Sequence, residues 1–174
     1  LDLVCTFFIL DQDKSDLRLV HTGHETGAIE ALEALVGLDR SQFSIPLQVI
    51  QDDCPWLLDG QAVLLHNTKE VLAPLLPRAA RRFAEAIVRR LNISTSIVAT
   101  LRVEEQVIGL LVVQGDGLVE EDVPAITAFA HQVAAAWHKA DLMQSLRESL
   151  DQLKRTQARL IQALPGQGRT QHGG

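Results

Sequence analysis

The sequence has no tyrosine, one methionine, two cysteines and only 4% aromatic residues in 174. Each scarcity excludes something. Cys5 and Cys54 cannot build a disulfide framework and stand in no CxxC or Cys/His ligand spacing, which points to a reducing, cytoplasmic setting and away from a structural metal. Nucleic-acid binders need a basic field or aromatic stacking platforms, and 16 basic against 22 acidic side chains, a formal charge of −6, supply neither. No apolar run reaches the ~18 residues of a membrane span and no signal peptide opens the chain, so no membrane insertion is expected from this segment. The chain begins at Leu1 and its single methionine is Met143, which reads as an excised piece of a longer protein.

What is present is a 47% hydrophobic share, enough for a full core and incompatible with disorder or a collagen-like chain. The apolar run Leu3–Leu10, the turn-forming stretch Asp11–Asp16 and Leu17–His21 read as a β-hairpin. Ala28–Val36 places Ile29, Leu32, Leu35 and Val36 on one helical face, and Gly37 stands where a left-handed cap ends a helix. Phe43–Ile50 reads as a short strand with Pro46 placing it at an edge or a bulge, Cys54–Leu58 as a helical turn, and Gln61–Asn67 as a further strand. Arg78–Leu91 reads as an amphipathic helix between Pro77 and Asn92, and Thr95–Val103 and Val107–Gln114 as two more strands. Six strands with helices inserted between hairpins indicate an α+β domain with an antiparallel sheet.

From about Glu120 to Ala163 the pattern becomes one long helix, with Pro124 in its first turn. About 44 residues would span roughly 65 Å, more than the sheet can cover. Ile126, Phe129, Val133, Trp137 and Ala140 form the stripe expected to lie on the sheet. Beyond it Met143, Leu146, Leu150, Leu153, Gln157, Leu160 and Leu164 alternate by three and four residues, the seam of a parallel coiled coil. A second copy of the chain would cover these leucines, so a homodimer is expected, against the alternative of a helix folded back on its own domain.

No catalytic constellation emerges from the residues. Asp11, Asp13 and Ser15 open like a calcium loop, but Asp16 replaces the glycine at the sixth position and Thr22 the glutamate at the twelfth, leaving a solvated hairpin loop. His21 and His24 lack a third ligand, and His131 and His138 lie seven apart on the long helix. There is no GxSxG, GxxxxGK[ST] or GxGxxG motif, and Gly109 inside a strand suggests close backbone packing. The arginines at 78, 81, 82, 89 and 90 fall at helical spacing and read as a solvated face, with an anion site as the alternative.

The residues resemble a known family. SIVATLRVEEQVIGLLVV from Ser96, LVEEDVPAI from Leu118 and FAHQVAAA from Phe129 are similar to the last two strands and closing helix of a GAF domain, and WLLDGQAVLLHN from Trp56 to the short helix and strand before its pocket helix. Departures are Val119, where a capping Thr or Ser is frequent, and Thr100, where a proline is common. Ser145–Ala163 resembles the connector that leads from a GAF domain towards the dimerisation helix of sensor histidine kinases; neither His131 nor His138 is followed by glutamate, so neither is read as a phosphoacceptor. The resemblance implies a GAF-like sensor domain over residues 1–140 with its first helix cut short, a coiled-coil connector over 141–164 and a disordered tail over 165–174.

It further implies a sensory, non-enzymatic module that binds a small molecule between sheet and helices and relays its state through a dimeric helix to a kinase domain elsewhere in the parent chain. A ligand-free dimerisation spacer is the rival. No bilin attachment cysteine, free-methionine sulfoxide reductase cysteine set or cyclic-nucleotide NKFDE motif is matched, and no cofactor is implied. A pocket lining of Phe43, Cys54, Trp56, His66, Arg78 and Arg82 follows from their place on the side elements around the family's cavity, against core roles for Phe43 and Trp56 and surface roles for His66 and the arginines.

Overall fold

The computed structural model describes residues 3–37, 39, 41 and 43–163, the side chain of Leu35 excepted. The expected tail over 165–174 and Leu164 lie outside the described residues. The chain divides into two units, Leu1–Ala135 and Ala136–Gly174.

The first unit is built on β1 (Val4–Leu10), β2 (Asp16–Thr22), β3 (Ser44–Pro46), β4 (Val63–Leu65), β5 (Ser96–Val103) and β6 (Gln106–Gln114). They form one antiparallel sheet in the order β3-β2-β1-β6-β5-β4, the architecture expected from the sequence. Strands β1, β5 and β6 are nearly continuous apolar runs because both faces of the sheet are covered. The two edge strands are only three residues long, which limits the unpaired backbone they offer to other chains. Gly109 lies opposite Ile9 and Leu101, and a Cβ there would collide with the Phe8 carbonyl, the close backbone approach its position suggests.

Alternation along the strands sorts the core into two layers. Ile9, Ala99, Leu101, Leu111 and Val113 pack on one face against Ala130 and Ala134. On the other face Leu17, Val98 and Leu110 meet Ile45, Ile50, Cys54 and Leu57. Above that second face stand α1 (Thr26–Val36), α2 (Leu47–Asp53), α3 (Thr68–Leu75) and α4 (Ala84–Leu91). Gly37 closes α1 in the left-handed conformation, φ 71°, donating its N–H to Glu33, and Asn92 closes α4 in the same way, φ 52°.

Three local expectations need correction. The expected strand Phe43–Ile50 is a three-residue strand followed by α2, because Pro46 sets the turn into a helix and Leu47–Ile50 spacing buries Ile50 completely. The expected helix from Arg78 begins with a short 3₁₀ turn at Arg81–Phe83 and is α-helical only from Ala84, after Pro77 has accepted the N–H groups of Ala80 and Arg81 in a turn. Thr68–Leu75, to which the sequence pattern assigns no element, forms α3 with Pro74 inside it; at its C-terminal end Arg81 donates to the Pro74 and Leu76 carbonyls.

Helix α5 runs over Val123–Ala163, 41 residues, with Pro124 in its first turn. Ahead of it the Asp122 carboxylate accepts the Val119 N–H at 3.0 Å, one half of a capping box, and the Asp122 N–H goes to the Val119 backbone carbonyl because valine has no side-chain acceptor. The stripe on the sheet is Ile126, Ala130, Val133 and Ala134, and Phe129 and Trp137 are 44% and 41% exposed. Ala130 and Ala134, spaced i and i+4, are its fully buried members, with Ile126 and Val133 partly buried beside them. In the second unit the described residues are helical, and Met143, Leu146, Leu150, Leu153 and Leu160 are all exposed.

Candidate functional site

Between the second face of the sheet and helices α1, α3 and α4 lies a cavity of about 230 Å³. Its walls follow from the periodicities of these elements. Phe8, Val98, Leu110 and Val112 reach it from alternate positions of the central strands. Ile29, Leu32 and Val36 come from one face of α1, Val71, Leu72 and Leu75 from α3, and Ile87 and Leu91 from α4. These are aliphatic apart from the rings of Phe8 and Phe43, which meet edge-on with centroids 6.3 Å apart.

At one end of this surface the strands change character. Thr22, Thr6, Gln114 and Ser96 stand on successive strands β2, β1, β6 and β5, and Thr68 and His24 join them from flanking segments. Ser96 and Gln114 are direct cross-strand partners, as are Thr6 and Thr22. The side chains are paired: the Thr6 and Thr22 hydroxyls at 3.2 Å, Thr68 and Ser96 at 2.8 Å, and His24 Nε2 with Gln114 Oε1 at 2.7 Å. Thr6, Thr68, Ser96, Thr100 and Gln114 are the buried polar residues among those described, and all but Thr100 line the cavity. Thr100 instead donates to the Leu57 carbonyl at 2.7 Å.

Of the residues singled out from sequence, the structure places Phe43 on the cavity wall. Cys54 and Trp56 pack in the core of the second face, against Leu57 and its neighbours, without lining the cavity. His66, Arg78 and Arg82 are exposed, Arg82 lying 4.7 Å from the Phe83 ring, and they do not line the cavity either. The cavity is lined instead by the aliphatic faces of α3 and α4; Arg78 and Arg82 precede α4, and its own Arg89 and Arg90 are exposed, Arg89 on the face opposite the buried Ala84 and Ile87. The polar band escaped the sequence reading; the signal was there in Thr6, Ser96 and Gln114, each two residues from Phe8, Val98 and Val112 and so on the same face.

The ionisable groups favour binding over covalent chemistry. Burial pushes the Cys5 thiol above its ordinary value, and burial together with the Asp53 charge does the same for Cys54, so both are held as thiols. Asp11 turns its carboxylate onto the N–H groups of Ser15 and Asp16, at 3.0 and 3.3 Å, which spends it on the hairpin loop. The Ser15 N–H, above all, together with Arg18, holds its pKa below the usual range. His24 is engaged with Gln114, and His21 is tilted against Phe7 at 6.1 Å. Among the described residues no group of three or more His, Cys, Asp or Glu could hold a metal, and no helix is long and apolar enough to cross a membrane.

A six-stranded antiparallel sheet ordered β3-β2-β1-β6-β5-β4, with a cavity under the helices of one face, defines an α+β domain. Residues 5–137 match the GAF domain family, and the chain belongs to it. No curated protein matches the chain. Among solved structures it is similar to a segment of a methyl-accepting chemotaxis protein, residues 122 to 287, at 17% identity and TM-score 0.53, covering 80% of each chain. It is similar to a domain of a protein described as a two-component sensor histidine kinase from Sinorhizobium meliloti, at 13% identity and TM-score 0.52, covering 83% of each. The GAF3 domain of a Synechocystis protein in its photoproduct state is 14% identical at TM-score 0.54, over 82% of this chain and 86% of that one. At these identities the likeness is one of fold.

Proposed function

We propose that this GAF domain is the sensory input of a cytoplasmic signal-transduction protein, a two-component histidine kinase being the favoured parent, and that it reports a small molecule held in the cavity. The observation that carries the reading is the 230 Å³ cavity itself, in a unit otherwise well packed on both faces of the sheet. Apolar side chains left facing an open space of that size forgo the burial that a bound molecule would supply. A ligand acts by binding two arrangements of the domain with different affinity.

The relay is the seam Met143, Leu146, Leu150, Leu153 and Leu160, exposed in the single chain and spaced as the a and d positions of a parallel coiled coil. A second copy of the chain covers it, making the working unit a homodimer. Native mass spectrometry of the purified protein tests both parts: a dimer mass with a small-molecule adduct is expected. A dimer without adduct, together with no thermal shift across a metabolite panel, would favour the spacer role, and a monomer at micromolar concentration would defeat the relay.

A further inference from the structure

The wall of the cavity is almost wholly carbon. The hydroxyl, imidazole and carboxamide residues along its edge engage one another and the backbone. Thr6 is paired with Thr22, and Thr68 is paired with Ser96 while donating to the Ser94 carbonyl at 3.1 Å. His24 is paired with Gln114. Among the described residues no buried side-chain nitrogen or oxygen lacks a partner. A ligand group that needed a hydrogen bond inside would have to break one of these pairs and leave a buried polar group unmatched. The two carboxylate residues of the lining, Glu33 and Asp39, are half-buried and exposed, so both remain in contact with water.

A hydrocarbon meets the opposite situation. Water in a carbon-walled space finds too few polar partners, whereas a hydrocarbon that enters gives up no hydrogen bond. The favourable term is then the apolar area removed from water. An engineered 150 Å³ cavity walled by Leu, Ile and Phe takes up benzene, so in proportion about 230 Å³ suits about nine carbon atoms. The rings of Phe8 and Phe43 on the wall add aromatic contacts to the aliphatic ones.

Resting on the ligand-sensing reading above, we propose that the cavity takes an apolar molecule, an aromatic or branched hydrocarbon body of about nine carbon atoms, held by burial and shape with no hydrogen bond inside. The paired polar side chains then act as a fixed end wall of the space, and the ligand leaves them paired.

The test uses the whole chain and two probes of the same shape, toluene and phenol, with xenon under pressure as a third, followed by calorimetry and amide NMR shifts. Toluene is expected to bind at least tenfold more tightly than phenol, because a hydroxyl buried without a partner costs about five- to 150-fold in an equilibrium constant. Val112→Thr keeps the shape of a side chain that faces the cavity and places a hydroxyl there. In that variant the preference for toluene should fall at least threefold while the far-ultraviolet spectrum is unchanged. A preference that Val112→Thr does not move would mean that the probes bind elsewhere, and would overturn the proposal. Phenol binding as tightly as toluene to the wild type, or toluene shut out while phenol or xenon enters, would overturn the ligand class and leave the sensing cavity standing. If none of the three enters, the ligand class and the sensing reading fail together.

Discussion

Val112 faces the cavity from the middle of β6, with Thr6 and Val98 as its neighbours across the sheet. Val112→Phe would aim a ring into the empty space. The exchange adds about 50 Å³ of side chain, and at about 24 cal/mol for each Å³ of cavity removed it should raise stability by about 1 kcal/mol. Phenylalanine is well suited to a strand, so no backbone penalty opposes the gain. For a chain of this size that is a rise in Tm of about 2–4 °C. Taking about 50 Å³ from a cavity of about 230 Å³ leaves less room for a bound molecule, so the same substitution should weaken binding. Urea melts with fluorescence detection give the stability, and thermal shifts across a metabolite panel give the binding. Most substitutions of half-buried residues lose stability, so a gain coupled to weaker binding is a distinctive outcome. A loss of more than 1 kcal/mol would mean that the side chains have no room to give, and the reasoning from an open cavity would be refuted.

Other consequences are independent of the ligand. Gly109→Ala forces a methyl group onto the Phe8 carbonyl and should cost about 1–3 kcal/mol, visible as a lower urea midpoint with an unchanged slope. Thr100→Val leaves the buried Leu57 carbonyl without its 2.7 Å donor and should cost about 1–3 kcal/mol, whereas Thr100→Ser should retain most of the stability. Leu150→Asp places a charge in the centre of the proposed seam and should convert a dimer into a monomer by light scattering, with the near-ultraviolet spectrum of the sheet domain preserved. Asp11 has its folded-state pKa lowered, first by the Ser15 N–H, so its contribution is present at neutral pH and is lost as pH falls through the carboxylate range. Asp11→Asn should therefore be less stable than wild type at pH 7 and converge with it in acid melts.

Legibility of the sequence varied with how far each feature depended on neighbours in the chain. The hairpin of β1 and β2 and the pair β5 and β6 follow from apolar runs bounded by turn residues, and the left-handed caps at Gly37 and Asn92 from residue type alone. Pro46 and Pro74 were harder, because a proline is compatible with an edge strand, a helix start or the last turn of a short helix, and only packing decides. On the first-unit part of α5 the hydrophobic pattern drew attention to Phe129, which is exposed, whereas the small Ala130 and Ala134 are the fully buried residues. The cavity was the least legible feature. Its walls come from most of the elements of the first unit, and its polar band joins residues as far apart in sequence as Thr6 and Gln114 through strand pairing. Family likeness pointed to a pocket between sheet and helices, but the bulky and charged residues it brought forward, Trp56, His66, Arg78 and Arg82, are placed in the core or on the outer surface.

The central claim is that the cavity of this GAF domain is a binding site for a small molecule, and a thermal-shift screen run in parallel on the wild type and Val112→Phe tests it most directly. Compounds at one hundred times their wild-type dissociation constant should raise the wild-type Tm by about 5–10 °C and move the Val112→Phe variant distinctly less. A panel in which no compound moves the wild type, or in which the same compounds move both proteins equally, would contradict it.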